Sequence, residues 1–395
     1  MKAALAFVVL APFATWLVSA TAAHPTLVTL VPFPLERVGA LIFLIVAATL
    51  ALREILERRK PSPAYRAGLI FAVVVIASAI VGFDPVSGIA SGLFLGVVCL
   101  AGGAIYRYVR EGAWNPMLAA WLWTGAILCA LALVALALRR PASLYAFAHG
   151  RAVGIFENPN ELALYALAVC TIAAAAILAH DRGRTLAIVT FVLGFLALIA
   201  TGSRSGEAAF AIGVVALAIM LRGRRTTLQI AALVVLIALG IGLGLAFDSR
   251  HNPGENDTRL AAWSAGVRTV ALFPLTGVGI GGFYRVYPFV RSPDAPGPGD
   301  PIAYDPHNFY LSVAAETGLL GLGAFIFTIF TFVRESRDVL ALASEDGRRF
   351  GIVTLAGLLA VACHLVFNGF VLAIVLWVVM AALMLGIARS EYGRA

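Results

Sequence analysis

The chain has 395 residues, 61% of them hydrophobic and only 13% charged, with a mean hydropathy of +0.94. Soluble domains are about half apolar and a quarter charged, so this composition excludes an ordinary water-soluble fold and points to a chain that crosses a membrane many times. A net charge of +8 and a pI near 9.6 would suggest nucleic acid in a soluble protein; here the basic residues report topology first, and no nucleic-acid partner is expected.

A membrane helix needs about 20 apolar residues. In chain order the apolar runs predict twelve, centred at residues 3–20, 37–53, 67–83, 87–105, 115–138, 160–179, 185–201, 206–221, 228–247, 309–333, 351–368 and 370–388. The first ends in Val18-Ser-Ala-Thr-Ala-Ala-His24 and mimics a secretory signal with a small-residue cleavage site; the many runs behind it favour a first membrane helix. The tight Asn368-Gly369 pair separates the last two. The expected architecture is all-α and polytopic, a single integral membrane domain over 1–395. Its longest non-membrane stretch, 248–308, is punctuated by Gly and Pro and holds a short amphipathic helix over about 256–275, capped by Asn256, Asp257 or Thr258.

Charge orients the helices. With Lys2 in the cytoplasm, nineteen of the 29 Lys and Arg fall on cytoplasmic segments, both lysines among them, and the even count returns the C-terminus there. The ten on the outer face are all arginines: Arg37, Arg139, Arg140, Arg151, Arg204, Arg250, Arg259, Arg268, Arg285 and Arg291. Solvated loop charge explains Arg37, Arg250 and Arg291, and lipid headgroups suit Arg139 and Arg140.

Three others invite a ligand. Arg204 lies in Thr201-Gly-Ser-Arg-Ser-Gly206, between two runs with almost no loop, where an ionisable group normally faces a protein interior or watery cavity. Arg259 stands four residues before Trp263, so an indole at the membrane interface can hold the helix while the guanidinium faces inward. Arg151 precedes Gly154-Ile-Phe-Glu-Asn-Pro-Asn160, whose Asn158 and Asn160 sit at the mouth of the sixth run. Arginine's planar fork binds phosphate oxygens bidentately, so these residues fit a ligand that is both phosphate and lipid. Internal pairing to Glu157, Asp257 or Glu316 is the competing reading, and for Glu316 pairing with an arginine is favoured.

His307 follows Pro306 where the tenth run begins, with Asp305 or Asn308 as cap, so helix N-terminal amides favour an anion beside it. A histidine there can take a proton from a hydroxyl near neutral pH, or can merely help the helix start.

Other signals carry less. Gly277-Val-Gly-Ile-Gly-Gly282 lacks the strand and acidic residue of a dinucleotide fingerprint and reads as a tight turn. His364, inside the eleventh run, reads as a helix-packing residue. His149 has nothing to pair with. Cys99, Cys129, Cys170 and Cys363 lie in apolar runs and read as structural thiols. Carboxylates show no metal-ligand spacing, so neither metal nor cofactor is expected. Internal repeats and broken helices, the marks of a transporter, are not legible, although a transporter or flippase is the alternative from another class.

In order, Gly154-Ile-Phe-Glu-Asn-Pro-Asn160, Thr201-Gly-Ser-Arg-Ser-Gly206, Arg259 with Trp263, Pro274-Leu-Thr-Gly-Val-Gly279 with Phe283, His307-Asn308 and Glu316-Thr-Gly-Leu-Leu-Gly321 form a set that resembles the O-antigen ligase and polymerase superfamily. The resemblance covers about residues 150 to 330. It implies a GT-C type, inverting, metal-independent glycosyltransferase of the bacterial inner membrane, with both termini cytoplasmic and its site facing the periplasm. Its donor is a glycan on undecaprenyl diphosphate. The acceptor is lipid A-core for a ligase, which the motifs slightly favour, or another lipid-linked glycan for a polymerase. By motif, the family's functional residues fall on Arg204, Arg259 and His307 as catalytic groups. Arg151, Asn158, Asn160 and Asn308 are the expected substrate-binding residues, with membrane lipid as a further partner.

Overall fold

Apolar runs form the helices of this chain, and proline, glycine or a capping side chain sets their ends. The computed structural model describes residues 1–15, 35–139, 150–156, 158–179, 183–221, 255–297, 305–369 and 371–390, and every regular element among them is helical. In order they are α1 (Lys2–Leu10, continued by a 3-10 turn to Thr15), α2 (Leu35–Leu56), α3 (Pro63–Val81), α4 (Pro85–Tyr108), α5 (Trp114–Leu138), α6 (Pro159–Ala179), α7 (Arg184–Ala200), α8 (Arg204–Leu221), α9 (Glu255–Leu272), α10 (Phe283–Val290), α11 (Phe309–Leu342), α12 (Glu345–His364) and α13 (Val371–Arg389). A π turn, Val109–Ala113, joins α4 to α5 and bends at Gly112. The run expected at 228–247 lies outside the described residues, as do His149, Arg140, Glu157 and Arg250.

Among the described residues seven helices are long and apolar enough to cross a membrane, with α4 and α5 counted as one; α7 is apolar but only 17 residues long. The chain is therefore an all-α polytopic membrane protein. Helix α12 starts earlier than its apolar run, because Ser344 Oγ accepts from Gly347 N at 3.2 Å and Glu345 and Asp346 fill its first turn.

Helix α6 is the axis of the bundle. It is buried along nearly its whole length, with α5, α7, α8, α12 and α13 packed around it. Small residues allow the close approach: Gly206 of α8 meets Ala163, Gly194 of α7 meets Cys170, and Gly357 of α12 meets Thr171. Large apolar side chains such as Val73, Ile80, Ile127 and Phe330 are left exposed on the outer helices, as a surface facing hydrocarbon requires.

One end of the bundle is closed by ion pairs. Buried Glu54 of α2 holds Arg107 of α4 through both oxygens, with Arg107 Nη1 at 2.9 Å from Oε2. Glu335 of α11, also buried, accepts from Ser62 Oγ at 3.0 Å and Ala64 N at 2.9 Å and lies 3.4 Å from Arg389 of α13. These contacts fix α2, α3, α4, α11 and α13 against one another far from His307.

Helix α11 is broken. Gly318 takes φ 66° and ψ −170°, roughly 14 Å along the helix from Phe309 at about 1.5 Å per residue. The opened backbone groups pair with residues 274–279: Leu319 N donates to Pro274 O at 2.8 Å, Val278 N to Ala315 O at 3.1 Å, and Gly279 N to Glu316 O at 2.8 Å. A break was not legible in the sequence. Because protein backbone fills the gap, it does not line an open path of the kind a transporter needs.

Two stability outcomes follow. Gly277 has φ 65° and an added Cβ would strike the Glu316 carbonyl, whereas Gly183 has φ 78° with nothing within 4 Å. Gly277→Ala is expected to lower the melting temperature by several degrees, and Gly183→Ala by much less, in a detergent thermal-shift assay. Glu54→Ala strands Arg107 in a buried site and should cost about 3–5 kcal/mol, read as loss of monodisperse protein, while the double variant Glu54→Leu/Arg107→Met should recover most of it.

Candidate functional site

The sequence between α5 and α6 places Pro159 at the first helical position and Asn158 at the cap. Asn158 Oδ1 accepts from Asn160 N at 2.9 Å and Glu161 N at 3.1 Å. The cap holds Asn160 where α7, α8 and α12 converge. Asn160 Oδ1 accepts from Ser203 Oγ at 2.8 Å and from Arg151 Nη2 at 3.5 Å, and its carbonyl lies 3.1 Å from His364 Nε2. Arg151 Nε donates to Thr201 O at 2.6 Å. Arg151 and Asn160, expected to bind substrate, are joined to each other and together clamp the turn before Arg204.

Arg204 is the first residue of α8. Its backbone is fixed on both sides: Ser203 Oγ accepts from Gly206 N at 3.2 Å, and Ser205 Oγ accepts from Asn368 Nδ2 at 3.2 Å. Its side chain is exposed and makes no hydrogen bond or ion pair to a described residue. A rigid backbone carrying an uncommitted guanidinium is what capture of an anionic oxygen requires.

Asn368 is the residue sequence reasoning missed. Besides the bond to Ser205, its amide donates to His364 O at 3.1 Å, and its own carbonyl accepts from Phe309 N at 3.1 Å, which also reaches Leu365 O at 3.0 Å. One buried asparagine therefore holds the start of α11 against the Arg204 turn. The Asn-Gly pair was visible as a helix separator, but its partners lie 59 and 163 positions away. His364, read as a packing residue, belongs to the same cluster.

His307 sits where α11 starts and has φ 51°, one of three described non-glycine residues on the left-handed side. Proline before it and the anchored Phe309 N–H after it confine the backbone. Asp305 Oδ1 accepts from His307 N and lies 3.8 Å from Nδ1. Its Nε2 is buried with no hydrogen-bond partner, while the side chain as a whole is about a third exposed. Asn308 caps α11, accepting from Leu311 N at 3.0 Å, and so spends its side-chain oxygen on structure.

Helix α9 brings in Arg259. It packs on α11 through Gly266, whose face meets Pro306 and Leu311. Arg259 is half-buried and within electrostatic range of His364. The helix is not amphipathic in the expected sense: it buries Ala262, Ala265 and Thr269 and exposes Leu260, Val267 and Arg268. Trp263, expected at the membrane interface, instead packs on Phe367 with centroids 6.1 Å apart and its Nε1 buried. Arg268 donates to Val290 O, Arg285 pairs with Asp84 at 3.6 Å, and Arg291 donates to Ala295 O at 2.7 Å, so these three tie the 255–297 segment to itself and to residue 84.

Glu316 pairs with no arginine, contrary to expectation. Its Oε1 accepts from Gly281 N at 2.9 Å, and its backbone faces the turn at 277–279. The glycine-rich stretch is the tight turn the sequence predicts, folded onto the broken α11. Among the described residues no three His, Cys, Asp or Glu side chains gather as a metal site would need. Directly below Phe309 an apolar cavity of about 470 Å³ opens between α3, α4, α11, α12 and α13, lined by Tyr310, Phe325, Phe332 and Trp377 among others.

Arg204, Arg259 and His307 thus lie on three elements that meet around the turn at 364–369, with Arg151 and Asn160 behind the first. A search of curated proteins with the sequence returns no match. Residues 189–326, which hold Arg204, Arg259 and His307, match the family model Wzy_C, O-antigen ligase. Over that segment, about a third of its length, the chain is similar to the O-antigen ligase family.

Proposed function

We propose that the chain is a GT-C type glycosyltransferase that moves a glycan from undecaprenyl diphosphate to an acceptor hydroxyl, as a ligase acting on lipid A-core. The observation that carries this is the convergence of an uncommitted arginine, a second half-buried arginine and a histidine with an orphaned Nε2 at one end of a membrane bundle, above an apolar cavity. The site then faces the periplasm across the bacterial inner membrane, with both termini cytoplasmic and 248–308 forming the segment over it.

Departure of a lipid diphosphate leaves negative charge on its oxygens. Arg204 and Arg259 stabilise that charge more as the glycosidic bond breaks than before, which is how fixed cations lower a barrier. His307 Nε2 accepts the proton of, or orients, the incoming hydroxyl, which attacks the anomeric carbon from the face opposite the diphosphate and inverts it. Arg151 and Asn160 hold the Arg204 turn; the amide groups of Asn158 and Asn308 face the donor headgroup or sugar. The apolar cavity supports a ligand whose other end is hydrocarbon. Polymerisation onto a second lipid-linked glycan would use the same groups and differs only in the acceptor.

Purified chain in nanodiscs with EDTA, an undecaprenyl diphosphate oligosaccharide and lipid A-core should yield glycosylated lipid A-core; a ladder of longer lipid-linked glycan from donor alone would make it a polymerase. His307→Ala and Arg204→Ala are each expected to slow product formation about 100-fold or more at unchanged melting temperature. Full activity of His307→Ala overturns the mechanism. Asn368→Leu, which removes the amide bonds to Ser205 and His364, should lower kcat roughly tenfold with a smaller change in donor KM, because it displaces groups acting in the transition state.

A further inference from the structure

Trp263 has no part in the chemistry above, yet its indole N–H is buried and without a hydrogen-bond partner. A buried donor left unpaired is unfavourable, and native structures seldom keep one without a use. The ring packs on Phe367, itself 41% exposed and next to Asn368, so the pair stands on the turn that anchors both Ser205 and the start of α11. Trp263 is also one helical turn beyond Arg259 and one turn before Gly266, which meets Pro306 beside His307. His307 Nε2 is another buried atom without a hydrogen-bond partner in this neighbourhood.

A sugar ring presents a face of C–H groups and a rim of hydroxyls. A partly exposed aromatic pair with one fixed N–H at its edge complements that shape: the rings take the apolar face and the N–H takes one oxygen. Indole nitrogen only donates, so the group it meets must be an acceptor such as a hydroxyl or ring oxygen. We propose that Trp263 and Phe367 form a carbohydrate subsite beside His307, in which Trp263 Nε1–H donates to an oxygen of the sugar next to the reacting centre. The inference rests on the glycosyltransferase reading and names the part of the site that holds sugar, not diphosphate or lipid tail.

The test uses full-length protein in nanodiscs with ¹⁵N-labelled tryptophan. Trp263→Phe identifies the Trp263 indole signal among the six tryptophans by its absence. Undecaprenyl diphosphate oligosaccharide and glycan-free undecaprenyl diphosphate are titrated separately. The Trp263 signal is expected to shift with the glycan-bearing lipid and to stay in place with the glycan-free one. Trp263→Phe, which keeps the ring but loses the N–H, should raise donor or acceptor KM roughly tenfold, the effect of one hydrogen bond, with kcat nearly unchanged. A signal unmoved by the glycan-bearing lipid, or moved equally by both lipids, overturns the sugar subsite, the second outcome making Trp263 a lipid contact. If wild-type protein transfers no glycan while the signal still shifts selectively, the transferase reading fails and the subsite stands.

Discussion

The geometry of the site depends on the main-chain carbonyl and side-chain amide of a single residue, Asn368. Its carbonyl receives the Phe309 N–H, one of the donors that a helix start leaves unpaired, and its amide reaches Ser205, adjacent to Arg204. In hydrocarbon neither group could be left without a partner. Satisfying them together draws α8, α11 and α12 to one point. The bond network runs on through Ser203 to Asn160 and Arg151, so the arginine turn and the histidine turn are members of one hydrogen-bonded cluster.

That arrangement explains a division of labour among polar residues of similar type. Asn158 and Asn308 spend their carbonyl oxygens capping helices, and Arg151 binds a backbone carbonyl. Arg268, Arg285 and Arg291 staple the segment that carries α9 and α10. Arg204 is left uncommitted because everything around it is committed. The hydrogen bonds at Ser203 and Ser205 fix the backbone on either side of Arg204, while its guanidinium stays free for an anionic oxygen.

Much of this was legible in the residues. Hydropathy gave the helices, because a 20-residue apolar run has few alternatives in a membrane. Ordered short motifs singled out Arg204, Arg259 and His307 as expected site residues, because arginines against the topological bias and a histidine after proline each need a local reason; the elements that carry them meet around the turn at 364–369. Asn368 was read only as a turn, since an asparagine before glycine is the ordinary signal for one and its partners are distant in sequence. Glu316 was assigned an arginine by charge alone; the glycine turn offered backbone N–H groups instead, and a backbone donor is invisible to any reading of side-chain type. The position of Trp263 was misjudged for a similar reason: tryptophan at a membrane boundary normally faces the interface, and only the packing of Phe367 turns it inward.

The break at Gly318 shows how the same rule shapes the segment above the site. A lone glycine in an apolar run is compatible with an unbroken helix, so nothing local announces the break. What opens the helix is the supply of backbone partners from residues 274–279, which pair with residues 315–320 much as two short strands would. The seam also carries Ser78, whose hydroxyl donates to Thr276 O at 2.5 Å. Residues 255–297 are thereby tied to α11 at Gly266, beside His307, and again at the seam further along the helix. A segment held at two such points cannot carry Arg259 and Trp263 away from His307 without opening several backbone hydrogen bonds at once. The positive φ of His307 is then a conformation held by its neighbours, with Asp305 accepting from its N–H and Phe309 N anchored on the 365–368 turn.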